Sequence, residues 1–293
     1  MSELANRFRE HMELRGFAEK TKKAYDGAMA DLARAYATVP PDRITGEQVR
    51  AHVARLSSER HLAWTTVNVH VSAYNCFYRE VLKRSDEFPL PPRGRARKRP
   101  VVLDRESVRL ILSAHTNLKH RALLAMVYGS GLRVSEVCRL RPCHIESAPD
   151  RMLVRVEQGK GRKDRYTLLS RDALAVLREY WLAFRPSGWL FPGERGDAPL
   201  SVVAAQRAYR NACLKSGIPR DRARGIHTLR HCFASHLMED GVALPVIQRL
   251  LGHSSLSTTS VYCHVSRALL QNVRSPADTL GGWLPSGGPG GKG

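Results

Sequence analysis

Residues 227–265 read HTLRHCFASHLMEDGVALPVIQRLLGHSSLSTTSVYCHV, which is two helical patterns followed by a polar segment that contains a tyrosine. Apolar positions recur at helical spacing over Thr228–Glu239 and again over Ala243–Leu251. The stretch also carries four side chains suited to chemistry, namely His227, Arg230, His253 and Tyr262. Their density in one short region predicts a functional site built on helices.

Two earlier segments add cationic side chains. GSGLRVSEV surrounds Arg133, and QGKGRKDR surrounds Lys160. Guanidinium groups form paired hydrogen bonds with phosphate oxygens and stay charged at any relevant pH, so two arginines and a lysine suit a phosphoryl transition state. The three segments together predict chemistry on a phosphate group.

The sequence gives no sign of a metal or nucleotide cofactor. It lacks a carboxylate cluster for Mg²⁺, and GKGRKD does not satisfy the phosphate-loop pattern GxxxxGK[ST]. His227 and His231 have the spacing of a zinc-protease helix, but HTLRH lacks the glutamate of HExxH. The cysteines form no CxxC pair, which predicts reduced thiols rather than a zinc site or disulfide framework; they are Cys76, Cys138, Cys143, Cys213, Cys232 and Cys263. We therefore expect no cofactor.

The overall charge indicates a polyanionic partner. The chain has 293 residues and a formal net charge of +20, an excess typical of proteins that bind nucleic acid. Anionic lipid is the alternative, but no stretch approaches the roughly 18 apolar residues of a membrane span. The beginning, MSELANRFREHMELRG, lacks the apolar core of a signal peptide. We expect a cytoplasmic protein that binds DNA and no membrane.

The first 83 residues predict a small helical domain. Apolar side chains from Tyr25 to Tyr36 follow helical spacing, Thr45 and Gln48 form a possible capping box, and Val67–Val81 predicts a long fourth helix. Residues 84–100 contain four prolines and therefore predict a linker.

The linker is strongly basic. Its second half has no acidic residue and contains Arg93, Arg95, Arg97, Lys98 and Arg99. It is expected to follow a phosphate backbone, and a solvated spacer remains the alternative.

Residues 101–275 predict a second, mainly helical domain with one exception. Met152–Val156 and Arg165–Leu169 are rich in strand-forming residues, and the glycines between them predict a hairpin. Residues 276–293 are of low complexity and predict a disordered tail. The expected fold class is mainly α with a small β-hairpin or sheet.

With these segments in place, the chain resembles the tyrosine recombinases of the lambda-integrase superfamily, and most closely the bacterial Xer type. The resemblance rests on Arg133 in GLRVSE, Lys160 in GKGRK, HTLR at residues 227–230, and LLGH ending at His253 with Tyr262 nine residues later. Each motif alone is weak, but their common order and spacing are specific. The resemblance covers nearly the whole chain.

The resemblance implies a metal-free cleavage of DNA by Tyr262, which leaves a 3′-phosphotyrosine and a free 5′-hydroxyl. A tyrosine with a pKa of about 10 needs a proton acceptor and a cationic pocket to attack at neutral pH. The resemblance assigns proton transfer at the nucleophile to His227 and protonation of the leaving 5′-oxygen to Lys160.

The resemblance also implies that Arg133, Arg230 and His253 hold the non-bridging oxygens. Glu136, three residues after Arg133, is expected to orient that arginine. We expect further contacts with the DNA backbone from Arg162, Lys163 and Arg165, whereas His231 and His236 are expected to pack in the core.

The architecture implied is a two-domain C-shaped clamp, with a helical core-binding domain and a mixed catalytic domain. Four copies, or two each of this chain and a second recombinase, would join two sites through a Holliday junction. The helical pattern at 267–274 is expected to dock on a neighbouring subunit, with docking on its own domain as the alternative. Two other functions stay open: a type IB topoisomerase and a DNA-binding accessory protein without catalysis.

Overall fold

The computed structural model describes residues 3–92, 100–157, 164–219 and 221–252. The chain divides into two compact units, Met1–Lys98 and Arg99–Gly293. No helix within the described ranges is long and apolar enough to cross a membrane.

The N-terminal unit is a bundle of four helices. They are α1 (Glu3–Leu14), α2 (Glu19–Ala35), α3 (Gly46–Ser58) and α4 (Trp64–Asn75), and α4 continues as a π-helical segment over Cys76–Val81. The capping box is confirmed: the Gln48 amide donates to Thr45 Oγ1 at 3.2 Å, and the Thr45 amide donates to Gln48 Oε1 at 2.8 Å. Both interactions satisfy amides that the start of α3 leaves without a helical partner.

The segment after this bundle packs on it. Phe88 is 2% exposed, its amide donates to Asn75 Oδ1 at 2.9 Å, and Trp64 Nε1 donates to the carbonyl of Pro91 at 2.9 Å. The linker therefore begins later than the expected residue 84, because the buried Phe88 holds the residues before it on the N-terminal unit. The basic residues predicted to follow DNA, at 93–99, lie outside the described residues.

The C-terminal unit is mainly helical and has one small sheet. Its elements in chain order are α5 (Arg105–Ser113), α6 (Leu118–Ser130), α7 (Val134–Cys138), a 3₁₀ turn (Pro142–His144), β1 (Ile145–Ala148), β2 (Arg151–Val156), β3 (Arg165–Leu168), α8 (Arg171–Phe184), α9 (Val202–Lys215), α10 (His227–Glu239) and α11 (Leu244–Leu251). Helix α6 is central: six consecutive side chains, Ala122–Val127, are buried, and it packs on α8, α9 and α10.

The sheet is antiparallel with the order β1-β2-β3. The predicted hairpin is confirmed, with Val156 opposite Arg165. Strand β1 was not predicted, and of the five-residue helix α7 only the helical spacing of Arg133 and Glu136 was. Thr167 is fully buried and its hydroxyl donates to the carbonyl of Ser130 at 2.8 Å, which fixes β3 to the end of α6.

Candidate active site

The site begins where α6 ends. Gly131 has a φ of +61°, and a Cβ there would lie 2.4 Å from the Phe233 ring. Both the left-handed backbone and this close contact require glycine. The bend turns the chain so that Arg133 becomes the N-cap residue of α7.

Glu136 lies one turn into α7 and holds Arg133. The Arg133 amide donates to Glu136 Oε2 at 2.8 Å, and its Nη1 donates to Oε1 at 2.7 Å. The Glu136 side chain is 8% exposed. This is the pairing that the sequence predicted, and it fixes the orientation of the first arginine.

Arg165 contacts the same carboxylate. Its Nη1 and Nη2 donate to the two oxygens of Glu136 at 2.9 and 2.8 Å, and its Nε donates to the carbonyl of Leu250 at 3.0 Å. Only 11% of the side chain is exposed. We therefore revise the expectation that Arg165 binds DNA, because three of its five N–H donors are engaged within the protein.

Arg230, in the first turn of α10, is 4% exposed. Its Nη1 donates to the carbonyl of Gly131 at 2.5 Å, and its Nη2 donates to the carbonyl of Leu251 at 2.6 Å. The same Nη1 lies 3.8 Å from Glu136 Oε2. Arg230 thus joins the bend after α6 to the end of α11.

Three arginines from three elements hold the end of α11. Arg165, Arg230 and Arg133 donate in turn to the carbonyls of Leu250, Leu251 and Gly252, the last at 3.1 Å. The final carbonyls of a helix lack helical partners and carry partial negative charge, so guanidinium groups stabilise them. The backbone directly before His253 is therefore held by Arg133 and Arg230, the two arginines to which the resemblance gives catalytic roles.

Charges set the ionisation of the pocket. Burial alone would raise the pKa of Glu136, but the hydrogen bonds and charges of Arg165 and Arg133 outweigh it and lower this pKa to about 2. Burial lowers the pKa of His227, and the charges of Arg230 and Arg133 lower it further. Because the residue His227 is exposed to solvent, the charges of the two arginines are the main cause. The imidazole is neutral at pH 7 and can accept a proton.

The remaining predicted residues divide between two groups. His236 is buried and hydrogen-bonds the Leu103 carbonyl and the Tyr128 hydroxyl, which confirms its core position, and His231 is half-buried. The other predicted site residues, namely Lys160, Arg162, Lys163, His253 and Tyr262, lie outside the described residues. The described part of the chain therefore brings together Arg133, Glu136, His227 and Arg230.

An open pocket lies beside Arg133, and the sequence interpretation missed two of its basic residues. Arg139 and Arg141 line it together with His144, and the Arg141 guanidinium stacks over the Trp189 ring at 4.8 Å. The run CRLRP at residues 138–142, directly after the predicted motif, was the available signal. These side chains extend the positive surface away from Arg133.

A second cluster of polar side chains, in the N-terminal unit, could suggest a metal site. Asp31, His52 and His70 place one ligand atom each within 4.8 Å of one another. Asp31, however, already accepts hydrogen bonds from Arg60 at 2.6 Å and Arg34 at 3.1 Å. Two guanidiniums on the only carboxylate of this cluster disfavour a cation, so we assign it as a polar network.

Comparison with known proteins gives a consistent result. The Phage integrase family model matches residues 101–268, and the model named Phage integrase, N-terminal SAM-like domain, matches residues 4–86. An integrase/recombinase of Sinorhizobium fredii is 37% identical over 96% of this chain and 90% of its own length. The tyrosine recombinase XerD of Rhizobium meliloti is 33% identical over 88% of this chain and 89% of its own. Among solved structures, the XerH site-specific recombinase bound to its difH substrate superposes with a TM-score of 0.73 at 19% identity, over 89% of this chain and 81% of that one.

Proposed function

We propose a division of catalytic roles within this chain, which belongs to the phage integrase family and is a site-specific DNA recombinase of the tyrosine class. Tyr262 attacks the scissile phosphate and forms a 3′-phosphotyrosine. Because that bond keeps the energy of the phosphodiester, a second DNA end can displace the tyrosine without ATP. Cleavage and rejoining are therefore the same reaction run in opposite directions.

The remaining roles follow from the chemistry of the step. Arg133, Arg230 and His253 stabilise the non-bridging oxygens, Lys160 protonates the leaving 5′-oxygen, and His227 assists removal of the tyrosine proton. The observation that carries the proposal is the arrangement of Arg133 and Arg230 around the ionised Glu136. Both arginines also donate to the carbonyls of the two residues directly before His253. Such fixed cationic donors stabilise charge that develops on phosphate.

DNA is the partner, and we propose an assembly of four copies on two sites, with a Holliday junction between two pairwise exchanges. The C-shaped clamp, the basic contacts at 93–99, 162 and 163, and the passage of residues 267–274 to a neighbour belong to this proposal. We add Arg139 and Arg141 as contacts with the DNA backbone, because they line the open pocket beside Arg133. A cytoplasmic location follows from the DNA substrate.

Two other functions fit less well. A type IB topoisomerase would share the pocket, but the HTLR and LLGH segments and the small helical N-terminal unit favour the recombinase. An accessory protein without catalysis would not need the catalytic set, and every position of it is filled here.

A suicide substrate tests the nucleophile. DNA nicked next to the cut loses a short fragment after cleavage, so the covalent complex accumulates on a denaturing gel. Tyr262→Phe keeps the ring and removes only the attacking oxygen, so we expect unchanged DNA binding and no covalent complex. A protease-sensitive adduct with the Phe variant would show that another residue attacks.

A further inference from the structure

Three guanidiniums surround Glu136 in the described part of the chain, and the family resemblance gives catalytic roles to two of them. The third, Arg165, makes the most complete contact, because it forks both carboxylate oxygens. Both partners are largely buried, at 11% and 8% exposure. Removing one partner from such a pair leaves an uncompensated charge in a desolvated site.

Arg165 also joins three parts of the protein. It begins β3 and lies opposite Val156 of β2, and the chain between these strands contains Lys160. Glu136 belongs to α7, which has Arg133 as its N-cap. The Leu250 carbonyl, which accepts from Arg165 Nε, lies in the last turn of α11. One side chain therefore connects the hairpin, the first arginine and the backbone that leads to His253.

We propose that Arg165 is a positioning residue for strand cleavage, which holds Glu136 so that Arg133 and Arg230 keep one fixed arrangement for the scissile phosphate. This inference rests on the catalytic roles proposed above. Arg165 itself does not need to touch DNA. Its effect on the reaction passes through Glu136 and the end of α11.

The geometry requires arginine and not merely a positive charge. Three hydrogen bonds leave the guanidinium in different directions, two to Glu136 and one to Leu250. A lysine ammonium is a compact point charge and cannot form the paired contact. We expect Arg165→Lys to fail almost as fully as Arg165→Gln.

Loss of Arg165 also changes the protonation of Glu136. Burial raises the pKa of this carboxyl, and Arg165 is the largest opposing influence. Other charged and titratable groups face it in the described residues, namely Arg133 on α7 and Arg230 and His227 on α10. The pocket that Glu136 lines also contains Arg139, Arg141, His144 and Glu157. Without Arg165, protonation of Glu136 reaches into the working pH range and weakens its hold on Arg133.

The test measures covalent complex formation in a single turnover, with the full chain and saturating nicked DNA. We expect Arg165→Gln and Arg165→Lys to lower the rate about 100-fold, the size of loss that follows from misplacing a catalytic group by about 1 Å. DNA affinity should change less than about threefold. The matched control is Arg155→Gln, which removes an arginine from the neighbouring strand β2, where it pairs with the exposed Glu157 at 2.7 Å. The control should cleave at the wild-type rate.

A pH profile separates positioning from simple loss of folding. In Arg165→Gln the rate should begin to fall at a higher pH than in the wild type, because Glu136 takes up a proton. The double variant Arg165→Gln with Glu136→Gln has no carboxyl at this position to titrate, so its profile should return to the wild-type position. Its rate should stay low, because Arg133 and Arg230 then lack the carboxylate that holds them.

Three results would overturn the inference. The first is cleavage by Arg165→Gln within threefold of the control, and the second is a displacement of the pH profile to higher pH that persists in the double variant. A parallel loss of DNA affinity and cleavage with no change in the pH profile would also overturn it, since a purely structural residue behaves that way. Failure of the proposed function is distinguishable, because the wild-type chain would then form no covalent complex at all.

Discussion

The two units of the protein each contain a carboxylate surrounded by cationic side chains, and the two clusters differ in exposure. In the C-terminal unit, Glu136 meets Arg165 and Arg230, whose side chains are 11% and 5% exposed. In the N-terminal unit, Asp31 meets Arg60 and Arg34, whose side chains are 50% and 72% exposed. The sequence alone does not show this difference in exposure.

The difference separates a functional cluster from a structural one. Water screens the arginines of Asp31, so each of those pairs contributes little. The arginines of Glu136 are removed from water and end on the carbonyls of one helix, so their positions depend on each other. A rigid cationic pocket needs the buried arrangement found around Glu136.

The largest expected effect is on the first cluster. Glu136→Ala leaves three guanidiniums, two of them largely buried, without their carboxylate. Breaking a buried pair costs about 3 to 5 kcal/mol. We expect covalent complex formation to fall at least about 100-fold. Asp31→Ala, the matched change in the other cluster, should stay within about threefold at saturating DNA. Equal losses in the two variants would remove the distinction between the clusters.

A smaller effect concerns the pH dependence of the N-terminal unit. Burial lowers the pKa of His52 from 6.5 to about 4, against the opposing influence of Asp31. The unfolded chain therefore binds a proton that the native state excludes, and stability is lost as the pH falls from about 6.5 to about 4, by up to about 3 kcal/mol. Burial also lowers the pKa of His70, which acts in the same direction.

Amide hydrogen exchange of α3 in the full chain measures this loss, after correction for the intrinsic pH dependence of exchange. His52→Phe removes the titrating ring, so its loss of protection between pH 7 and pH 5 should be smaller than that of the wild type. The same slope in both proteins would exclude His52 as the source.

The smallest expected effect is that of Arg34→Ala. Arg34 pairs with Asp31 at 3.1 Å but is 72% exposed, so its removal should lower stability by less than about 0.5 kcal/mol, with a smaller difference at high salt. Urea unfolding at two salt concentrations measures it. A loss above about 2 kcal/mol would place the Asp31 cluster in the same class as that of Glu136.

The sequence predicted those elements whose local signals are strong. Thr45 and Gln48 supplied a complete capping box, and strand-forming residues on both sides of glycines supplied the β2–β3 hairpin. Strand β1 has the sequence IESA, whose residues mostly have low strand propensity. Helix α7 has only five residues and depends on packing and its cap. The local pattern did not predict β1, and of α7 it supplied only the three-residue spacing of Arg133 and Glu136.

At the site, the sequence showed which residues take part better than it showed what each of them contacts. It paired Glu136 with Arg133 from helical spacing, but assigned Arg165 to DNA because arginines in a basic segment are usually exposed. Alternation along β3 carried a contrary signal, since Arg165 lies on the same face as the buried Thr167. The burial of Phe88 was likewise outside what proline content can show.

The arginine-capped end of α11 also affects how strongly the pocket attracts the transition state compared with the intact phosphodiester. Within the described residues, three guanidiniums, one carboxylate and the roughly half negative charge of a helix end leave a net charge of about +1.5 around Glu136. A phosphodiester carries one negative charge, and attack by a tyrosinate adds a second. These cationic groups therefore attract the transition state more strongly than the intact strand, so part of their electrostatic attraction arises only during the reaction.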